Sequence, residues 1–376
     1  MRVAGETMTA ISEALVVGGG PAGAAVGILL ARRGREVTIV EKSSGMHDKV
    51  CGEFLSGEAV QYLAQLGLDL PALGATPIYG VRLARRSCIA ECELPFPALS
   101  LTRRKLDEAL LNVASREGAD VRRGVRIEAL QRVQTGWSAR VADAEPVYAR
   151  SVFLATGKHD VGGWRRPKGK QNGLVAFKMY FALARHQQQA LRAWIELCLF
   201  PGGYAGLQLT EDGNANLCLL VNHATLQDCG NEWHTLLARI LDFSEHLAAR
   251  LEDAQPLLEK PLALSSIPYG MLLHESEPDL WRLGDQTAVT PSFSGDGMSI
   301  ALHSAEVAAK LYLKNRTSKE LAAKLHHELH SSIAMATMIS RLMIATPALA
   351  HLLRAWPQLL GIFGHCTRVP QTALVS

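Results

Sequence analysis

The stretch Ala14-Leu-Val-Val17-Gly18-Gly-Gly20-Pro21-Ala22-Gly23-Ala-Ala25 decides the fold. Ala14 to Val17 is a short, fully apolar run that reads as a buried strand. It enters a glycine turn, and a helix follows from Ala24 to Arg33, stopped by Gly34. A second apolar run, Glu36 to Val40, ends at Glu41. Strand, turn, helix and strand in this order predict a parallel βαβ unit. Gly18, Gly20 and Gly23 fit G-x-G-x-x-G, with Pro21 and Ala22 filling the turn. The first glycine permits the tight turn, the second lets the backbone approach a pyrophosphate, and the third lets the helix lie close on the strand. The helix N-terminus then offers free N–H groups and a partial positive charge. Glu41, beside Lys42, stands at a strand end roughly 20 residues on, where a carboxylate accepts hydrogen bonds from an adenosine ribose. The pattern predicts a dinucleotide site and does not separate NAD from FAD.

Working outward, Leu106, Leu110, Val113 and Ala114 mark an amphipathic helix that ends before Gly118. Strand-like pieces continue to about Ala155, with a turn near Thr135-Gly136. From Gly173 the texture changes. Leu174 to Leu183, Ala193 to Phe200, Tyr204 to Leu209 and Ala215 to Val221 read as strands, and Asp212-Gly213 supplies a hairpin turn. That predicts an antiparallel sheet inserted into the parallel one. A helix-rich stretch from Glu232 to Leu251, a short strand at Leu280 to Leu283 and an Ala-rich helix from Gly297 to Leu313 follow, and the last sixty residues read as helical.

The 376 residues suggest two or three domains. A hydrophobic content of 48 % excludes disorder and leaves apolar mass for a large core and an apolar site. The net charge of +3, without a block of like charge, gives a nucleic-acid or membrane-surface role no electrostatic support. The apolar stretch from about residue 332 to 363 is broken by Arg341, Pro347, Arg354 and Pro357, so it predicts no transmembrane segment. Seven scattered cysteines and a leader without an apolar core argue for cytoplasmic, reduced thiols. Cys88 and Cys92 have no second pair to complete a zinc site. His326-His-Glu-Leu-His330 is not H-E-x-x-H, since Ser331 stands where the second histidine would be. No metal site is expected.

Three runs carry a family resemblance: ALVVGGGPAGAA at the start, VFLATG in the middle, and WRLGDQTAVTPSFSGDGMSIALHSA late in the chain. Together they resemble the FAD-dependent oxidoreductases of the p-hydroxybenzoate hydroxylase fold, within them the branch of geranylgeranyl reductases and flavin monooxygenases. The resemblance implies an α/β fold: a Rossmann-type FAD-binding domain with a parallel sheet and helices, an inserted antiparallel-sheet substrate domain, and a helical C-terminal segment. Residues 12–74, 101–165 and 270–315 would form the discontinuous FAD-binding domain, 75–100 and 166–269 the substrate domain, and 316–376 the helical segment.

By position, the resemblance places Arg103 against the adenosine-pyrophosphate half of the cofactor, and Ala155 and Gly157 in the turn that closes over it. Thr156 stands where hydroxylases of this fold often carry an acid. Gly284-Asp285 matches the second fingerprint, whose aspartate bonds the ribityl chain. Gly295, Gly297 and Met298 open a helix aimed at the flavin's pyrimidine edge, where reduced flavin carries negative charge. Lys49-Val-Cys51-Gly52-Glu53 is similar to the reductases' Cys-Gly segment, which makes Cys51 a candidate at the reaction site. It also reads as a small buried hydrophobe. Phe200 to Gly206 falls where the reductases roof the isoalloxazine, but without their Trp and Pro-Lys, and the halogenase Trp-x-Trp-x-x-Ile-Pro run is absent.

The implied enzyme holds FAD, takes electrons transiently from NAD(P)H or from a reductase partner, and acts on a lipophilic or aromatic small molecule. A monooxygenase is the first reading. A reductase saturating a carbon–carbon double bond is the second, and a flavoprotein electron carrier the third.

Overall fold

The computed structural model describes residues 11–345 and Arg368. The leader, Cys366 and most of the segment after Ala345 lie outside the described residues. Ser12–Val17 pairs in parallel with Val37–Glu41 on one side and Val147–Leu154 on the other. Every side chain of Val37–Glu41 is buried, as a strand covered on both faces requires. The connecting helix, Pro21–Ala31, is buried along almost its whole length, so it lacks the polar stripe of a surface helix. It starts three residues earlier than the sequence reading placed it, because Pro21 serves as its first residue.

Among the described residues this sheet has seven strands. Asp120–Arg123 and Leu280–Arg282 extend its parallel part, and an antiparallel meander of Ile127–Val133, Gly136–Val141 and Val147–Leu154 completes it. The helices Arg103–Arg116 and Gly297–Leu313 pack beside Pro21–Ala31 and share its apolar core.

Among the described residues the second sheet has nine strands and is mostly antiparallel. Its centre is the set expected from the sequence: Leu174–Ala182, Ala215–Asn222, Gly203–Leu209 and Trp194–Phe200. The long hairpin Thr76–Arg85 and Cys88–Ser100 joins it, with Thr76–Arg85 running parallel to Trp194–Phe200. Phe54–Leu55, which the sequence reading grouped with the first domain, pairs with the outer hairpin strand. Alternation along Leu174–Ala182 sorts its side chains. Val175, Phe177, Met179 and Phe181 enter one apolar cluster, while Leu174 and Ala176 enter another on the opposite face. The helices Trp233–Phe243 and Glu245–Arg250 contribute to the first of these clusters. The opposite face looks toward the parallel domain, and the cavity lies between them.

Candidate active site

A continuous cavity of about 1350 Å³ runs from the glycine turn to the second sheet. At the turn, the backbone makes the surface. Gly18 has φ +105°, and a Cβ there would lie 2.5 Å from the Ala155 carbonyl oxygen. Gly23 lies under the turn, where a Cβ would collide with the Gly18 carbonyl. Gly20 is different: its nearest neighbour would be the Arg103 guanidinium at 3.3 Å, a side chain that can move.

Two helices open into the cavity with unfilled ends. The N-caps Gly20 and Asp296 provide no side-chain cap for Pro21–Ala31 and Gly297–Leu313. Their first-turn N–H groups lack intrahelical partners and suit an anionic ligand. Asp285 also lines the cavity, and its carboxylate makes no hydrogen bond or ion pair among the described residues. Donors at two helix ends, a bare carboxylate and a glycine cradle fit a dinucleotide with ribose and ribityl hydroxyls.

Electrostatics order this end. Glu41 accepts hydrogen bonds from Gly19 N at 2.8 Å and Ser43 N at 3.0 Å. Burial pushes its carboxyl up, but the Lys49 charge and these donors prevail and hold it below the ordinary value. Each Glu41 oxygen therefore already accepts one backbone N–H, Oε2 from the turn and Oε1 from Ser43, and each keeps a lone pair for a ligand hydroxyl. Arg103 is clamped to Asp107 through Nε at 2.8 Å and Nη2 at 2.9 Å, and Lys49 reaches the same carboxylate at 2.9 Å. Burial opposes the Asp107 charge, yet the two cations keep its carboxyl low. Burial and the charges of Lys49 and Arg126 lower the Lys42 ammonium. Thr156 Oγ1 donates to the His159 carbonyl and so braces the turn that follows Ala155.

At the far end the walls are apolar. Leu83, Phe96, Ile195, Leu197, Phe293 and Met343 are among them. Tyr204 lines the same region, with its hydroxyl 2.9 Å from Ser292 Oγ. Between the ends sits the Cys51-Gly52-Glu53 loop. Asn216 Nδ2 donates to the carbonyls of Cys51 and Gly52 and to Glu53 Oε2, each at 3.1 Å. Lys178 Nζ lies 2.6 Å from Glu53 Oε1, and both side chains are fully buried.

A match to the FAD binding domain family covers residues 12–152. The chain is similar to menaquinone reductase of Mycobacterium tuberculosis, 25 % identical over 80 % of this chain and 76 % of the relative. It is 32 % identical to mouse squalene monooxygenase over 23 % of this chain and 15 % of that one. Among solved structures it resembles the flavin-dependent brominase Bmp2, with a TM-score of 0.78, 16 % identity, and 95 % of this chain and 94 % of the other covered. The chain is an FAD-binding enzyme with the p-hydroxybenzoate hydroxylase fold.

In this FAD-binding enzyme the residues singled out from the sequence converge on one cavity. Gly18, Gly20, Pro21, Ala22, Glu41, Lys42, Arg103, Ala155 and Gly157 line it near the turn. Gly284, Asp285, Gly295, Gly297 and Met298 line it as well, with Gly284 beside Ala22 of the turn, and so does Cys51. Gly23 is the exception, since it shapes the turn from beneath. The Arg103 guanidinium is held inside by Asp107. His326 and His330 do share a helix face, with stacked rings 6.0 Å apart, and lie away from the cavity. No group of three or more potential ligands for a metal occurs among the described residues. No helix among them is long and apolar enough to cross a membrane.

Sequence reasoning missed Glu53, Lys178, Tyr180, Asn216 and Arg368. A signal existed for two of them. In Leu174–Ala182 every second residue from Ala176 gives Ala, Lys, Tyr, and a lysine inside so apolar a strand requires a buried partner. Arg368 carried no such signal. Its Nη1 lies 3.1 Å from Asp296 Oδ1 and 3.2 Å from Glu58 Oε2. Burial pushes the Asp296 carboxyl up to about 7, and Glu58 adds to this while Arg368 opposes it.

Proposed function

We propose that the chain oxidises an apolar or aromatic small molecule with dioxygen, using NAD(P)H to reduce bound FAD. The observation that carries this reading is the continuity of the cavity. Its volume of about 1350 Å³ exceeds the roughly 300–1,000 Å³ of a pocket for one drug-sized ligand, which leaves room for a cofactor and a second molecule. Bound FAD would supply hydride acceptance and dioxygen chemistry.

The residues would divide the work as follows. The Gly18–Gly23 turn and the N-terminus of Pro21–Ala31 hold the pyrophosphate, with Arg103 beside it. Glu41, with Lys42 at the rim, takes the adenosine ribose, and Ala155 and Gly157 close over the cofactor. Gly284 lets the chain approach, and Asp285 accepts from the ribityl hydroxyls. Gly295, Gly297 and Met298 present N–H groups and positive helix potential where negative charge develops. Leu83, Phe96, Ile195 and Leu197 receive the substrate and keep water out, which protects reactive oxygen species from wasteful decay. Cys51 stands where cofactor and substrate would meet.

A second reading is a reductase that saturates a carbon–carbon double bond. The extent of the relatives favours it: likeness to menaquinone reductase spans 80 % of the chain, against 23 % for squalene monooxygenase. The deciding experiment incubates the protein with NADH or NADPH and a panel that includes a menaquinone, squalene and substituted phenols, with labelled dioxygen and without oxygen. Label in a product supports the monooxygenase. Product formed equally well without oxygen, carrying two added hydrogens on carbon that re-exposure to air does not remove, establishes the reductase.

A further inference from the structure

Tyr180 bridges two carboxyl groups. Its hydroxyl lies 2.9 and 3.0 Å from the two oxygens of Glu53 and 3.2 Å from Asp48 Oδ1. A phenol has one proton to donate, and an ionised carboxylate only accepts. If both acids were ionised, one of these contacts would set oxygen lone pairs against each other. The arrangement therefore holds an additional proton, shared between Asp48, Tyr180 and Glu53. Asp48 is half-buried and Glu53 fully buried, and both line the cavity.

Glu53 is an unusual residue to place here. It is not glycine, yet its φ is +63°, a conformation that costs of order 1–3 kcal/mol and persists only where the surroundings enforce it. The surroundings do enforce it: Arg103 N donates to Oε1 at 2.9 Å, Asn216 to Oε2, and Lys178 pairs with Oε1. Among the described residues the Lys178 ammonium has no other acceptor, and it lies 4.4 Å from the Tyr180 ring centre.

We propose that Asp48, Tyr180 and Glu53 form a proton path from solvent to the chamber where cofactor and substrate meet. Asp48 gives its proton to the Tyr180 oxygen as that hydroxyl gives its own to Glu53. One O–H bond forms for each that breaks, and one positive charge moves inward. Glu53 then passes the proton to a basic oxygen or nitrogen of the cofactor–substrate pair, and Asp48 is reprotonated by water. Tyr180 stays neutral throughout, since burial and the flanking carboxylates raise its pKa far above the ordinary phenol value. Burial likewise raises Glu53 despite Lys178, so the acid can hold a proton nearer neutrality than an exposed carboxyl.

The charged and titratable groups around the path are few. Lys178 and Tyr180 face Glu53 from one strand and Cys218 from the next. Arg103 faces it from its helix, and Asp48 and Cys51 belong to its own loop. Arg104 interacts with both Asp48 and Tyr180. Lys178 is a positioning residue, which fixes Glu53 without touching the chamber.

The inference rests on the proposed oxidoreductase site, and its test needs no substrate. Oxidation of anionic reduced FAD by dioxygen to FAD and hydrogen peroxide takes up one proton. The holoprotein is reduced with dithionite, freed of reductant and mixed with oxygenated buffer from about pH 5.5 to about pH 9, in water and in D2O. Reoxidation of the wild type should slow as pH rises and in D2O. Tyr180→Phe keeps the ring over Lys178 and removes only the hydroxyl. It should be slower by about tenfold or more near neutrality and lose the pH step, with unchanged flavin content and melting temperature. Asp48→Asn should do the same, and it decides the matter if Tyr180→Phe loses flavin. Wild-type rates, pH dependence and isotope effect in a variant that keeps its flavin would overturn the path. That outcome leaves the substrate reading intact, because oxygen label in a product is measured independently.

Discussion

At the nucleotide end the cavity is shaped by backbone, and at the sheet end by side chains. Gly18 and Gly23 leave no space for a Cβ because the obstructing atoms are main-chain carbonyls. The sheet end is walled by Leu83, Ile195 and Leu197, side chains whose exact identity a core tolerates so long as volume and polarity are kept. The difference separates two jobs. A cofactor common to many enzymes is held by a geometry that admits little variation, whereas a wall of side chains can be changed to suit a substrate. The buried Glu53–Lys178 pair joins them, because Glu53 belongs to the loop between the two ends and Lys178 to the second sheet.

The sharpest way to break this contrast is within the turn itself. Gly23→Ala forces a methyl into the Gly18 carbonyl, and we expect a loss of about 3 kcal/mol or more in stability together with the flavin. Gly20→Ala meets only the movable Arg103 side chain, so its fold should survive while FAD affinity falls. Thermal unfolding and flavin content of the two purified variants check this. Equal stability would mean that the turn is not limited by backbone contact.

Next comes the pair that joins the regions. Lys178→Met strands a buried carboxylate, and the expected cost is about 3–5 kcal/mol. The double variant Lys178→Met with Glu53→Gln removes both charges and should recover part of that loss. Denaturant unfolding of the single and double variants measures the coupling. Additive losses would show that the two charges do not interact.

How much of this was legible follows the same division. The Gly18–Gly23 turn was readable because backbone geometry demands glycine, and a demand on residue type leaves a pattern. Asp285 and Gly297 were readable through resemblance, since nothing local marks them as lining a cavity. Lys178 and Tyr180 were visible only as an odd alternation, and their partner Glu53 is distant in sequence. The strands that build the apolar wall could be placed, but which of their faces looks into the cavity depends on the packing of two sheets. Arg368 reaches Asp296 across most of the chain, a contact that no local pattern encodes.

A third prediction contrasts two buried charges of the same sheet. On the side away from the cavity, Glu196 is bound by His246, Arg250 and Arg82. Burial alone would raise its carboxyl, but the hydrogen bonds and charges of His246 and Arg250 lower it to about 2. The folded pKa thus lies below the unfolded one. The stability this provides is complete above the unfolded value near 4.5 and is lost as pH falls toward about 2. Glu196→Gln should destabilise the protein at neutral pH and flatten the acid limb of its stability curve. A variant with the wild-type slope between those values would contradict the assignment.

The smallest effect belongs to the cofactor itself. Asp285→Ala removes one acceptor for a ligand hydroxyl, worth about 1.5–3 kcal/mol, so FAD affinity should drop about tenfold to a hundredfold. The apoprotein's melting temperature should not change. Unaltered affinity in a flavin titration would remove Asp285 from the site.

The central claim is that one cavity holds FAD at its glycine end and an apolar molecule at its sheet end. Titrating the oxidised holoprotein with menaquinones, squalene and substituted phenols, while recording the visible spectrum of the bound flavin, tests it most directly. The account predicts that at least one of these ligands perturbs the flavin bands saturably. It also predicts that Leu197→Asp, on the sheet wall, abolishes the perturbation while flavin content stays at the wild-type level. A ligand that binds with the same affinity and spectral change in Leu197→Asp would contradict it.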